Sequence, residues 1–159
     1  MQKIIISLVV IASLQFPCFA QSQHVEQAPS SMRTPQDIAR WLSRNFTYEM
    51  EWPDTWQSSD EMVRSKKGDC EDFAVLSQAL LARLGIKSDI VIIRFKDLKV
   101  AHAICIWKYG QYYSFMSTRQ LYETNATSIE EAVEKYFPDW QKIIFTDANK
   151  HYAKIVTRK

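Results

Sequence analysis

A chain of 159 residues with 47% hydrophobic and 24% charged side chains has the composition of one ordinary globular domain. Its 20 basic and 18 acidic residues nearly cancel, which gives no broad basic field for nucleic acid or an anionic membrane surface. The local groupings Arg64, Lys66, Lys67 and Lys150, Lys154, Arg158, Lys159 read as solvated surface.

The first twenty residues stand apart. Met1-Gln2-Lys3 is a short basic start, Ile4 to Phe16 is a 13-residue apolar run, and Cys18-Phe19-Ala20 puts small residues at the positions a signal peptidase reads. A secretory signal over 1–20, cleaved after Ala20, is expected, and with it a periplasmic or secreted protein. The run would span only about 20 Å as a helix, short of the thickness of a bilayer core, so no stable membrane span is expected. Lipidation of Cys18 is disfavoured because Phe16-Pro17 precedes it. Cleavage removes Lys3 and Cys18, leaving 19 basic against 18 acidic residues and two cysteines, Cys70 and Cys105. The polar, aperiodic stretch 21–32 reads as a flexible linker, and 33–159 as the domain.

Thr34-Pro35-Gln36-Asp37 marks a helix start, with Ile38, Trp41, Leu42 and Phe46 as its apolar stripe. Glu49 to Gln57 reads as a loop in which Trp52 and Trp56 pack over a helix. Ser58-Ser59-Asp60-Glu61 is a capping box that opens a short helix ending near Ser65. Phe73, Leu76, Ser77, Leu80, Leu81 and Leu84 then recur at helical spacing, and Gly85 stops them. Asp69 caps this helix, which places Cys70 in its first turn. Beyond Gly85 the pattern becomes strand-like, over Asp89 to Phe95, Val100 to Trp107 and Gln111 to Met116, with a hairpin turn at Tyr109-Gly110. Ser128 opens a last helix, with Ile129, Ala132, Val133, Tyr136 and Phe137 inward and Pro138 ending it. Ile143 to Phe145 and Tyr152 to Val156 are candidate final strands. Helices followed by a short-turn antiparallel meander predict an α+β domain.

Cys70 is the candidate nucleophile. Its thiolate is the reactive form, and the free N–H groups at a helix start favour an anion, although Glu71 and Asp72 oppose it. A nearby imidazole would accept the proton. His24 lies in the linker and His151 in a charged tail, whereas His102 lies in the apolar run Val100-Ala101-His102-Ala103-Ile104-Cys105-Ile106-Trp107. Strand alternation puts His102, Ile104 and Ile106 on one side and Ala103, Cys105 and Trp107 on the other. With His102 turned to Cys70, Cys105 should face away, so no disulfide is expected. The same separation, and the lack of a paired ligand motif, speak against zinc. No cofactor or metal is expected from the residues.

Lys67-Gly68-Asp69-Cys70-Glu71-Asp72-Phe73-Ala74-Val75-Leu76, followed by Ala79-Leu80-Leu81-Ala82-Arg83-Leu84-Gly85-Ile86, resembles the core of the transglutaminase-like superfamily. Gly-Asp-Cys-Glu-Asp is particularly similar to the bacterial transglutaminase-like cysteine peptidases, and Ala101-His102-Ala103 is similar to the family's histidine strand. The resemblance runs from about Thr34 to Met116. It implies a papain-like fold in which cysteine attacks an acyl carbon, histidine shuttles the proton and an aspartate orients the histidine. It implies acyl transfer from an amide of a protein or peptide substrate, in the cell envelope or outside, to water or to an amine. Hydrolysis is expected in preference, because a chain this short leaves little for domains that would exclude water, and a monomer is expected. NlpC-like amidases also carry aspartate before the cysteine, but they expect Ser-Gly where Glu71-Asp72 stands.

The chain departs from the family at the third residue. The aspartate should fall at Met116 or Ser117, soon after Gly110-Gln111-Tyr112, and neither is a carboxylate. Ser117 can take a hydrogen bond from the imidazole without stabilising imidazolium by charge, so the candidate catalytic set is Cys70, His102 and Ser117. Asp139 or Asp147 could substitute in space, and a fold kept for binding is the alternative to catalysis. Oxyanion donors would be the Cys70 N–H with Gln57 or Trp56. In bacterial relatives the acids flanking the cysteine can bind calcium, which would implicate Asp69 and Glu71. Capping and a solvated helix start account for both without metal.

Overall fold

Thr34 caps α1 (Pro35–Asn45) by a reciprocal box with Asp37, and Pro35 fills the first helical position, where its missing N–H leaves no bond unmade. This computed structural model describes residues 28–53, 55–96, 101–146, 151–152 and 154–158. The expected signal 1–20, Val100 and Asp147 lie outside them. α1 buries Ile38 and Leu42, and Phe46 follows it into the core. Ser58 and Glu61 form a second box that opens α2 (Ser59–Ser65). Between the two helices, β1 (Thr47–Tyr48) runs parallel to β2 (Lys67–Gly68). α3 (Cys70–Arg83) follows at once, apolar through Phe73, Leu76, Leu80 and Leu81, and the chain leaves it through Gly85 at φ +73°.

Six strands follow, with one helix among them: β3 (Ser88–Phe95), β4 (Ala101–Tyr109), β5 (Tyr112–Ser117), β6 (Gln120–Glu123), α4 (Ile129–Tyr136), β7 (Trp140–Thr146) and β8 (Lys154–Thr157). They form one antiparallel sheet in the order β6-β5-β4-β3-β7-β8. The period-two alternation of β3, β4 and β5 divides the interior. Ile90, Ala103, Cys105, Trp107 and Met116 meet Phe73, Leu76 and Leu80 beneath α3. Val91, Ile93, Ile104, Ile106 and Phe115 meet Ile129, Ala132 and Val133 of α4 on the opposite face. The α+β architecture expected from the sequence is present, with the central helix starting at the cysteine and α4 covering the far side of the sheet. Among the described residues no helix is long and apolar enough to cross a membrane.

Three expectations need correction. Ala28 and Met32, in the stretch read as linker, are buried in the α3-side core, so packing begins before α1. Trp52, expected to pack over a helix, is 94% exposed. The final strand begins at Lys154 instead of Tyr152.

Candidate active site

The start of α3 is built around Asp72. Its Oδ2 accepts from the Asp69 N–H (3.1 Å) and from Gln57 Nε2 (3.0 Å), and its Oδ1 accepts from the Gln57 N–H (2.7 Å). The carboxylate thereby ties the loop before α2 to the first turn of α3. Gly68 permits this approach, since a Cβ there would stand 2.5 Å from Asp72 Oδ2. The solvated helix start expected from sequence is not found. Glu71 is only 7% exposed and Asp72 1%. Burial raises the Asp72 pKa above the ordinary carboxylate value, against the hydrogen bonds from Gln57 and Asp69.

Cys70 is half-buried at the first position of α3. Its thiol donates to Glu71 Oε2 at 3.2 Å. Burial, together with the charges of Glu71 and Asp69, pushes the thiol up to about 12, against the pull of the Ala103 N–H on the sulfur. The resting group is therefore a neutral thiol.

His102 lies on the α4 side of β4. Its Nε2 is 2.8 Å from Ser117 Oγ, and its ring meets that of Phe137 at 5.5 Å between centroids. Burial lowers its pKa, favouring neutral imidazole. With the proton on Nε2, the ring donates to Ser117 and leaves the Nδ1 lone pair available. Of the two positions expected to carry the third residue, Met116 is buried in the α3-side core and Ser117 stands behind His102. Asp139 lies in the turn before β7, where its carbonyl accepts from the Lys96 N–H.

The facing of the two cysteines differs from expectation. Cys105 does not turn away from α3; it lies in the core beneath it, in the same packing cluster as Cys70. The side that turns away carries His102, Ile104 and Ile106. Both cysteines are free. The thiol sits at Ala103, and Cys105 is two residues farther along β4, about 6.6 Å at the strand rise. Cys70 meets β4 at Ala103, the residue after His102, at a gap in the sheet. The register Cys105↔Met116 sets Ser117 opposite Ile104, and the chain then turns at Thr118 (φ +51°). The first residues of β4 therefore have no β5 partner, and the Ala103 N–H bonds to the Cys70 sulfur. The structure joins His102 to Ser117 and Cys70 to the residue after His102, while the thiol proton lies on the Glu71 side.

Gln57 is not available as an oxyanion donor. Its amide nitrogen already faces Glu51 Oε1 (3.0 Å), the Lys67 carbonyl (3.1 Å) and Asp72 Oδ2 (3.0 Å), three acceptors for two hydrogens. Trp56 packs against the α3-side core. Tyr48 and Phe137 were not foreseen as neighbours of the site. Phe137 was expected only as an inward residue of the last helix, and it caps the imidazole. Tyr48 comes to Cys70 through the β1–β2 pair, a two-residue contact that leaves no periodic signal. Its pKa is raised by burial and then by the charges of Cys70, Asp69 and Glu71.

Beside Cys70, Asp69 Oδ1 is buried with no hydrogen-bond partner. Among the described residues no three His, Cys, Asp or Glu side chains gather as a metal site.

The sequence profile described as "Transglutaminase-like domain" matches residues 20–144. The fold is similar to that of Legionella pneumophila LapG. At 17% identity and a TM-score of 0.55 the chain is covered over 85% and LapG over 74%. For calcium-bound LapG the values are 18%, 0.52, 75% and 71%. For EGTA-treated LapG they are 17%, 0.52, 79% and 66%, so the chain spans just under two thirds of that one. At these identities the likeness shows the fold. No curated protein matches the chain in sequence. With its cysteine at the start of a central helix, a histidine strand beside it and a family profile covering most of its length, the chain belongs to the transglutaminase-like domain family.

Proposed function

We propose that this protein is an exported thiol peptidase or amidase, with Cys70 as nucleophile, His102 as general base and Ser117 as the group that orients the imidazole. The observation that carries this reading is the 2.8 Å contact of His102 Nε2 with Ser117 Oγ, which leaves Nδ1 for the thiol proton. Neutral thiol and neutral imidazole make proton transfer to His102 part of the attack on the acyl carbon. Attack gives a thioester and a free amine, and water releases the acid in a second step. The leader-like residues 1–20 support export, and the substrate is then an envelope or secreted protein.

A hard cation would find Asp69, with its unpartnered Oδ1, and Glu71 beside the thiol. Calcium takes six to eight oxygens, so carbonyls and waters would complete such a shell. Neutralising these two carboxylates would bring the Cys70 thiol back toward the ordinary range.

Labelling by iodoacetamide, mapped to Cys70 by peptide mass spectrometry, tests the assignment. C70A should lose it, and both C70A and H102A should lose cleavage of a peptide pool. Cleavage that survives in C70A sinks the reading. A binding role is the second reading, favoured by a thiol bonded to Glu71 and by a hydroxyl where the family places a carboxylate. It predicts a labelled wild type that cleaves nothing.

A further inference from the structure

We infer that Tyr48 is a catalytic residue, its phenolic O–H being the second hydrogen-bond donor to the oxyanion formed when Cys70 attacks an acyl carbon. The inference deepens the proposed thiol mechanism and rests on it.

Backbone geometry places Tyr48 first. β1 is only two residues long, yet it is held at both ends: the Thr47 N–H donates to the Lys66 carbonyl and the Glu49 N–H to the Gly68 carbonyl, each at 2.9 Å. Lys67 Nζ and Glu49 Oε1, 2.7 Å apart, close the outside of the pair. The register sets Tyr48 opposite Gly68, two residues before Cys70. The side chain is 41% exposed, and the charged groups that act on it are those of Cys70, Asp69 and Glu71. The phenol therefore stands on the exposed side of the thiol site. Burial, and then those same neighbours, raise its pKa, so it keeps its proton and remains a donor. Of the two donors expected from sequence, Gln57 is committed to its three acceptors, and Trp56 packs against the α3-side core.

The step balances without another reagent. The thiol proton passes to His102 Nδ1, the S–C bond forms, and the carbonyl π pair moves to oxygen. That oxygen accepts from the Cys70 N–H and from the Tyr48 O–H. When the pair returns, the C–N bond breaks and the leaving nitrogen takes the proton from His102. Tyr48 keeps its own hydrogen throughout, acting by charge stabilisation alone.

Alkylation and acylation of Cys70 separate this role from any other. Iodoacetamide reacts by displacement and forms no oxyanion, whereas p-nitrophenyl acetate forms one. Y48F keeps the ring and removes the donor. It should be alkylated at Cys70 within about twofold of the wild-type rate, while release of p-nitrophenol slows by about 10²–10³-fold. Acylation at the wild-type rate overturns the inference. So does equal slowing of both reactions, which would mean that the phenol acts on the thiol or on the fold. Acylation that persists in C70A instead removes the nucleophile assignment itself, and the role of Tyr48 with it.

Discussion

His102 Nε2 and Ser117 Oγ stand 2.8 Å apart on the α4 side of the sheet, a hydroxyl occupying the place where the family carries a carboxylate. The contact can fix the tautomer and the ring plane, but it cannot stabilise imidazolium by opposite charge. S117A should lower kcat/KM by about 3–10-fold, the worth of one hydrogen bond. S117D should raise it by at least about tenfold and move the acid limb of the rate profile to higher pH, because a carboxylate raises the imidazole pKa. A slower S117D enzyme with an unmoved limb would show that the hydroxyl is not the orienting group.

Glu71 holds the thiol proton. E71Q removes the charge and keeps the shape, so the Cys70 pKa should fall from about 12. Alkylation by iodoacetamide at pH 7.5 should then speed up about 3–10-fold, the larger thiolate fraction being partly offset by weaker intrinsic nucleophilicity. An unchanged rate would assign the shift to burial and Asp69 instead of Glu71.

In the proposed mechanism neutral imidazole is the base, and burial holds its pKa below 6.5. The rate should therefore be flat near neutrality and fall only below pH 6.5 as His102 gains its proton. With the thiol near 12, no alkaline limb should come from Cys70 in the ordinary range. A bell-shaped kcat/KM profile with a descending limb near pH 8–9 would contradict this; it is the pattern expected of a thiolate–imidazolium pair.

Gly68 is required by Asp72 and not by a turn. G68A sets a Cβ 2.5 Å from Asp72 Oδ2 and should cost about 1–3 kcal/mol, read as a Tm lowered by several degrees. A Tm within one degree of wild type would show that the carboxylate can shift freely.

Periodicity made much of this protein legible before its structure. α3 announces itself through an apolar stripe at helical spacing, and β4 through an apolar run in which His102 is the one basic group. Ser117 was reachable by counting from Gly110. Three features were not. The burial of Glu71 depends on what packs over the first turn of α3, which no local pattern encodes. The turning of Cys105 toward α3 depends on which face of β4 the helix covers, and alternation fixes the two sets without saying which set faces the helix. Tyr48 is brought near Cys70 by a two-residue parallel pair between segments some twenty residues apart. Such pairs carry too few residues to show a period.

Because β5 stops short, the Ala103 amide proton points at a sulfur instead of a carbonyl. A sulfur acceptor changes its charge and size at every stage of a thiol reaction, whereas a strand carbonyl stays constant. The amide resonance of this single residue should therefore move when Cys70 ionises, is alkylated or carries an acyl group, while the amides of Ile104 to Trp107 deeper in β4 hold still. A two-dimensional spectrum could then follow the state of the thiol without a substrate.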